Sequence, residues 1–526
     1  LKTKVFKALT SLVPGKMHLA ALILGAVSVL AFAPFDFSPL ILLTLAGLFW
    51  LWLQSESRWD GFKLGLWFGL GLFGVGVSWL FSSMYFYSGV HLVLSALATF
   101  IFVLFLSLYV GLAGFLAHYF KDENRTGLML FVLFPAIWVL TELLRGTLFG
   151  GFPFLQIGLT HVDTWLAGYA PLLGVLGVSW MVAISAGLLL WFVQQRSWLG
   201  PSLLLCLVWS FGGLLQKIEW VQPAGEPIDV ALVQGNVPQE KKWQKKEFYP
   251  TLEAYVSMTK QNMDADLVVW PETAIPTYYD VVEKGALYTF IKDAKLLNTD
   301  ILVGVIAGST DEEGQDHYYN ALVNLRHPEE RYYKTHLVPF SEFFPFHALF
   351  DFLSELFDIP FSSFTAGPEN QPPLKLAGQP AGLSVCYEMS FGEEQARYLP
   401  EAKYLVTVSN DAWFAHTFEP AQQVQEVRMR ALELGREIAR STNTGHTMIV
   451  DVNGQLKAQI PPYQQGVLRG EIQPYEGMTF FAKWQQQPIV LMLFAVFGFV
   501  FAKRYFLTGR LGKLAKQTDE SERQAN

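Results

Sequence analysis

The chain has 526 residues, more than one domain usually holds; 52% are hydrophobic, 16% are charged and the mean hydropathy is +0.28, which excludes an ordinary soluble globular protein. A formal net charge of -8, a pI near 5.7 and the lack of a concentrated basic face exclude a nucleic-acid partner. Only Cys206 and Cys386 are cysteines, and neither belongs to a CxxC or a Cys/His cluster, which excludes a disulfide framework and a structural zinc.

In chain order, apolar runs long enough to cross a bilayer, roughly 17 to 25 residues each, fall at 17-34, 38-54, 61-81, 91-118, 127-147, 165-193, 198-216 and 488-507. The first follows Lys2, Lys4, Lys7 and Lys16 in the manner of a signal peptide, but further runs follow at once and make it the first of a series. The first two are short and share the turn Ala33-Pro34-Phe35-Asp36, so a re-entrant hairpin is the alternative to two spans. Sorting Lys and Arg by loop places Lys2, Lys4, Lys7, Lys16, Arg58, Lys63, Lys121, Arg125, Arg196 and the basic residues from Lys503 onward on one side. The short loops of the other side offer only Arg145. The positive-inside rule then predicts cytoplasmic termini and an external segment between the seventh and eighth spans. The expected organisation is a membrane domain over 1-216 with spans one to seven, an external catalytic domain over 217-487, span eight over 488-508, and a solvated cytoplasmic tail over 509-526.

The external segment changes texture. Strands are expected at 228-235, 266-271, 300-307, 318-325, 331-338, 381-386, 404-409 and 446-452, and helices at 245-263, 281-297, 391-398 and 420-440. This alternation predicts a layered α/β domain with sheets covered by helices.

Cys386 ends the apolar run Gly382-Leu383-Ser384-Val385 and is the only cysteine of the external segment. A lone thiol outside the cytoplasm risks oxidation and cannot be half of a disulfide, which gives reactivity as a reason for it; a buried cysteine serving as a small hydrophobe is the alternative. A free thiol with a pKa near about 8.5 is mostly protonated at neutral pH, so a nucleophilic cysteine needs a base or a nearby cation. Two segments offer them. Asp266-Leu267-Val268-Val269-Trp270-Pro271-Glu272 puts a carboxylate just after a strand that Pro271 ends. Arg331-Tyr332-Tyr333-Lys334-Thr335-His336-Leu337-Val338-Pro339-Phe340-Ser341-Glu342 puts Lys334 within a strand-like run with a second carboxylate beyond it.

In that order, WPE, YYKTHLVPF-S-E and SVCYE resemble the Glu-Lys-Cys triad of the nitrilase superfamily, and most of all its membrane-anchored branch, the apolipoprotein N-acyltransferases. The resemblance extends into the membrane part through Phe32-Ala33-Pro34-Phe35, Gly76-Val77-Ser78-Trp79, the stretch from Trp138 to Arg145, and Leu166-Ala167-Gly168-Tyr169-Ala170-Pro171. The chain departs from the family at Ser341, where Gly often precedes the glutamate, and at Phe343 and Phe344.

The resemblance implies a polytopic α-helical membrane domain of about eight spans plus an external αββα nitrilase-like sandwich. It implies Glu272 as general base, Cys386 as nucleophile, and Lys334 as the cation that favours the thiolate and, with the backbone N-H of Tyr387, holds the oxyanion. The implied reaction takes a fatty-acyl chain from a membrane phospholipid, through a thioester, to the α-amino group of a diacylglyceryl-cysteine at a lipoprotein N-terminus. Glu342 is expected to orient Lys334 and Glu388 to support the network; surface carboxylates are the alternative for both. Trp243 resembles a substrate-contacting position, against a plain core tryptophan. The 346-364 stretch, with Phe350 and Phe357, has near-helical apolar spacing and reads as an interfacial lid or as a core helix. Glu142 and Arg145 share one helical face, as an ion pair or with Arg145 holding a lipid headgroup. No cofactor is called for, and His317, His336, His416 and His446 lack HxxxH spacing, so no metal is assigned. The rival readings are a membrane-tethered amidase or lipid hydrolase and a non-catalytic membrane scaffold.

Overall fold

The computed structural model describes residues 15-122, 125-194, 199-296, 298-310, 314-339, 341-343, 364-414 and 416-503. Within them every apolar run of the sequence forms a helix: α1 (Lys16–Ala31), α2 (Pro39–Gln54), α3 (Arg58–Gly76, continued by Trp79–Tyr87), α4 (Leu92–Tyr119), α5 (Thr126–Gly150), α6 (Trp165–Gln194), α7 (Leu199–Leu215) and, after the external domain, Gln487–Lys503. By length and composition three of them, α4, α5 and α6, can cross a membrane, and α3 makes a fourth if its two halves, bent by 46°, count as one span. The other four are shorter. At 1.5 Å per residue they reach roughly 25 Å, against about 30 Å of hydrocarbon.

Small residues let these helices approach closely, since lipid supplies no hydrophobic drive between them. A Cβ on Gly65 would collide with the carbonyl of Val110 in α4, and one on Gly71 with that of Leu22 in α1.

The second domain begins and ends in a staple, where β1 (Val221–Pro223) pairs antiparallel with β14 (Tyr475–Gly477). Between them lie two six-stranded sheets. The first has the order β13-β2-β3-β4-β5-β6, built from β2 (Ile228–Gln234), β3 (Leu267–Val269), β4 (Asp300–Thr310), β5 (Asp316–Asn324), β6 (Arg331–Tyr333) and β13 (Gly466–Ile472). The second has the order β12-β11-β10-β9-β8-β7, built from β7 (Leu374–Leu376), β8 (Gln379–Val385), β9 (Tyr404–Ser409), β10 (Ile438–Thr442), β11 (Thr447–Val450) and β12 (Leu456–Ile460). Val230, Leu232, Val269 and Leu302 of one sheet bury against Leu383, Val406, Val408 and Ile449 of the other. Helices α8 (Phe248–Lys260) and α9 (Tyr288–Leu296) cover the outer face of the first sheet, and α10 (Glu419–Leu434) that of the second, completing the αββα order.

The expected elements need four corrections. The strand expected over 331-338 stops at Tyr333, so Lys334 follows the strand rather than lying in it, and β8 stops at Val385, just before Cys386. The helix expected over 420-440 ends at Leu434, because Gly435 takes a left-handed conformation (φ 62°) and turns the chain into β10. The helix expected over 281-297 is two pieces, Tyr279–Glu283 and Tyr288–Leu296. Strands β1, β7, β10, β12, β13 and β14 were not expected. The 346-364 stretch, with Phe350 and Phe357, lies outside the described residues except for its last residue.

The two domains meet where membrane helices break. Helix α3 breaks after Gly76, and α6 turns at Gly174, which takes φ 68°. Each break frees backbone groups that a helix would have paired, and in an apolar setting these must find other partners. Helix α10 supplies them: Gln422 Nε2 donates to the Gly76 carbonyl at 3.0 Å, and Glu433 Oε1 accepts from the Val175 N-H at 2.5 Å. The Gln422 carbonyl oxygen also accepts from Trp79 Nε1 at 3.2 Å. Replacing Gln422 with Ala leaves two buried polar groups unpaired at about 1 to 3 kcal/mol each. A lower melting midpoint for Gln422→Ala in detergent is therefore expected; an unchanged midpoint would show that the junction does not depend on this cap.

Candidate active site

Strands β2, β3 and β4 run parallel, as do β8, β9 and β10, so the carboxyl ends of each set open at one edge. Chain leaving a parallel strand there carries side chains that no longer belong to the sheet. Glu272 follows β3, Cys386 follows β8, Asn410 follows β9, and Lys334 follows β6.

Glu272 is buried and each of its oxygens is held: Asn320 Nδ2 in β5 donates to Oε1 at 2.7 Å, and the Asn410 N-H donates to Oε2 at 2.9 Å. A carboxylate fixed in this way cannot swing out to solvent. Lys334 is 1% exposed, and its Nζ lies 3.0 Å from Glu342 Oε1 and 2.8 Å from Oε2. Burial opposes its charge, but the carboxylates of Glu342 and then Glu272 outweigh that, and the ammonium is held above the ordinary lysine range. Glu342 itself is held by the Val338 N-H at 2.8 Å and by Asn320 Nδ2 at 3.1 Å, so Asn320 touches both carboxylates.

Cys386 opens a short 3-10 turn, Cys386–Ser390, with φ 55°. A left-handed conformation is costly for a residue with a Cβ and persists only where its surroundings enforce it. Glu388 does the enforcing. Its Oε2 accepts from the Val385 N-H at 2.7 Å, and its Oε1 accepts from the N-H groups of Thr335 and His336 at 2.7 and 3.0 Å and from the Thr335 hydroxyl at 2.8 Å. The Tyr332 hydroxyl adds a contact of 2.8 Å to both oxygens. One fully buried carboxylate thus ties the cysteine turn to the lysine loop. Burial, and then the charge of Glu272, push the Cys386 thiol well above its ordinary range, while Lys334 pulls the other way. At rest the group is a thiol.

Tyr387 points its side chain to the membrane domain, where its hydroxyl donates to the Gly151 carbonyl at 2.8 Å and its ring lies parallel to that of Phe154. Arg145 lies beneath this contact. It is buried, its Nη1 donates to the carbonyls of Phe152 and Phe154 at 2.5 Å each, and its guanidinium lies over the Phe73 ring. Among the described residues it forms no salt bridge with Glu142, which instead accepts from Trp138 Nε1 and the Ile157 N-H at 3.0 and 2.9 Å. The guanidinium braces the 152-154 loop under Tyr387, a placement that matches neither an ion pair nor an open headgroup contact. Trp243 is 52% exposed, which removes the core-tryptophan alternative, and it follows the single turn Gln239–Lys242 beside Glu272.

Glu272, Lys334, Cys386, Glu342 and Glu388 are thus brought together, while Arg145 supports the floor from below. Asn320, Asn410 and Lys242 belong to the site and were missed. Asn320 alone left a trace in the sequence, as a strand-averse residue inside the run YYNALVN. A cavity of about 230 Å³ on the domain seam, lined by Glu142, His336, Glu393, Arg397, Arg430 and others, excludes the Glu-Lys-Cys group.

Two family models match the chain: an Apolipoprotein N-acyltransferase N-terminal domain over residues 24–188 and a Carbon-nitrogen hydrolase domain over residues 229–477. Among curated relatives, the apolipoprotein N-acyltransferase of Methylococcus capsulatus is 43% identical over 496 residues, covering 93% of this chain and 96% of that protein. Those of Nitrosomonas europaea and Coxiella burnetii are 37% and 36% identical, covering 91% and 89% of this chain and 95% and 96% of theirs. With both domains matched and near full-length identity to these relatives, the chain belongs to the apolipoprotein N-acyltransferase family, membrane-embedded acyltransferases that carry a nitrilase-like catalytic domain.

Proposed function

We propose that Glu272, Lys334 and Cys386 are the catalytic triad of this acyltransferase, and that it works in two half-reactions through a Cys386 thioester. The observation that carries the reading is the convergence, at the carboxyl ends of β3, β6 and β8, of a fixed buried carboxylate, a buried ammonium and a thiol that feels the charge of both.

In the first half, Glu272 takes the Cys386 proton as sulfur attacks the ester carbonyl of a phospholipid. Lys334 and the N-H of Tyr387 stabilise the tetrahedral oxyanion. Collapse breaks the ester C-O bond, Glu272 returns the proton to the leaving alkoxide, and a lysophospholipid departs. In the second half, the neutral α-amino group of a diacylglyceryl-cysteine attacks the thioester, Glu272 accepts its proton, and the C-S bond breaks to give the amide and, after proton return, the thiol. The raised thiol pKa favours this order of events, since the proton must leave with a base at the moment of attack rather than beforehand. Trp243, exposed beside the site, is available to either substrate.

We place the catalytic domain, 217-487, in the periplasm and both termini in the cytoplasm. The end of the bundle remote from that domain carries Lys16, Arg58, Lys63, Lys121 and Arg125, which supports this orientation.

Two experiments test the reading. Cys386→Ala is expected to abolish transfer of a labelled phospholipid acyl chain while the protein still inserts, and mass spectrometry of the native enzyme is expected to find a hydroxylamine-sensitive fatty-acyl adduct on Cys386. Transfer that survives the substitution overturns the mechanism, and label recovered only as free fatty acid replaces the amine acceptor with water. Asn320→Asp would set a third carboxylate between Glu272 and Glu342, and a loss of acylation of roughly 100-fold near neutral pH is expected, against roughly 10-fold for Asn320→Ala. An Asp variant as fast as the native enzyme would remove Asn320 from the machinery.

A further inference from the structure

The mechanism leaves one buried cation beside Glu272 unused. Lys242 ends the turn Gln239–Lys242, is 3% exposed, and donates from Nζ to the main-chain carbonyl of Glu272 at 3.2 Å. It makes no salt bridge with a described residue. An ammonium withdrawn from water without a counter-ion is costly. Burial lowers its pKa to about 8, with the charge of Glu272 opposing the fall. A methionine would fill the same volume without that cost, so the charge itself needs an account.

The charge balance of the site supplies one. Glu272 and Glu342 bring two carboxylates, Lys334 brings one ammonium, and Cys386 rests as a neutral thiol. That leaves one negative charge in excess. Moving the thiol proton to Glu272 keeps the excess and relocates it to sulfur. Further out, Glu388 and Glu419 are buried carboxyls that press in the same direction. A second cation at Lys242 brings the inner group to neutrality. The turn that carries it is also anchored to the base, because Gln239 Oε1 accepts from Asn410 Nδ2 at 2.9 Å while the Asn410 N-H binds Glu272.

We propose that Lys242 is a positioning residue of the acyl-transfer site, whose ammonium pins the main chain of Glu272 and supplies the charge that keeps its carboxylate available as a base. The inference rests on Glu272 being that base.

The test follows thioester formation on Cys386 between about pH 5 and 9 in the full-length enzyme, with mixed micelles of acyl-labelled phosphatidylethanolamine and phosphatidylglycerol as donor. Removing a cation near a carboxylate disfavours the ionised form, so the acid limb of the profile for Lys242→Met and Lys242→Gln is expected to move up by about one unit. At low pH acylation then falls about 10-fold, while at pH about 8 it stays within about 3-fold of the native rate. Lys242→Arg is expected to restore the limb. A uniform fall at every pH in Met and Gln alike, with the limb unmoved, would reduce Lys242 to a packing residue and overturn the proposal, as would a native rate at low pH in either. Should the Met variant fail to insert, the Gln variant carries the comparison. Label that persists on Cys386→Ala would instead sink the triad reading, whatever Lys242 does.

Discussion

The structure depends on a helix whose polar side chains are almost all buried. Glu419, Gln422, Gln423, Gln425, Glu426, Arg430 and Glu433 of α10 are each shielded from solvent, a pattern that would unfold the helix if the groups were unpaired. Each has at least one hydrogen-bond or ion-pair partner, although Glu419 Oε2, Gln425 Oε1 and Glu426 Oε1 have none among the described residues, and the partners come from both domains. Gln422 and Glu433 satisfy the breaks in α3 and α6, Gln425 reaches Asp36 between α1 and α2, and Glu426 accepts from the Ser390 hydroxyl at the end of the cysteine turn. Val427, Ala431 and Leu434 pack on the second sheet, while Met429 and Leu432 join the apolar core of the membrane helices. The expense of this burial registers in Glu426 and Glu433, whose carboxyls it lifts to about 7. The membrane domain and the catalytic domain therefore share one helix as a structural wall.

The same economy governs the site. Of the two forms of a cysteine side chain, the thiolate is the one that reacts with oxidants. Burial and the nearby charge of Glu272 push the Cys386 thiol up, while Asn320 and Asn410 fix Glu272, which in the proposed mechanism takes that proton. Lys334 opposes the raised pKa without reversing it, and its own charge is secured by Glu342. In the proposed mechanism reactivity is thus deferred until a substrate carbonyl can share the negative charge.

Much of the candidate site was legible in the sequence because two of its strand ends are legible. Apolar runs closed by Pro271 and by Tyr387-Glu388 ended close to Glu272 and Cys386, whereas the strand expected over 331-338 overran β6 by five residues and put Lys334 inside it. What escaped was held by contacts distant in the chain. Asn410 acts through a backbone N-H, which has no sequence signature, and Lys242 stands in PQEKKW as one of two adjacent lysines, of which only the buried one faces Glu272. Helix α10 was traced six residues too far, because its polar composition gave no reason to stop and Gly435 was not read as a cap. Hydropathy located the membrane helices but not their breaks, since a window average is blind to a single Gly174 or to the Val77-Ser78 step.

The first two helices raised the alternative of a hairpin that enters and leaves on one side, and the packing argues against it. Their shared turn meets the catalytic domain, where Phe35 packs edge-on against Phe418 with ring centroids 5.4 Å apart and Asp36 accepts from Gln425. Their other ends meet the opposite end of the bundle. His18 lies 3.7 Å from Asp60 at the start of α3, and Ser55 after α2 contacts His118 near the end of α4 at 2.9 Å and accepts from Lys121 at 3.3 Å. Helix α4 is long enough to span unaided, and α1 and α2 together reach both of the levels that its bundle connects. A re-entrant hairpin would end at mid-height among apolar side chains. These helices instead run the height of the bundle that α4 spans, although at roughly 25 Å each is shorter than about 30 Å of hydrocarbon.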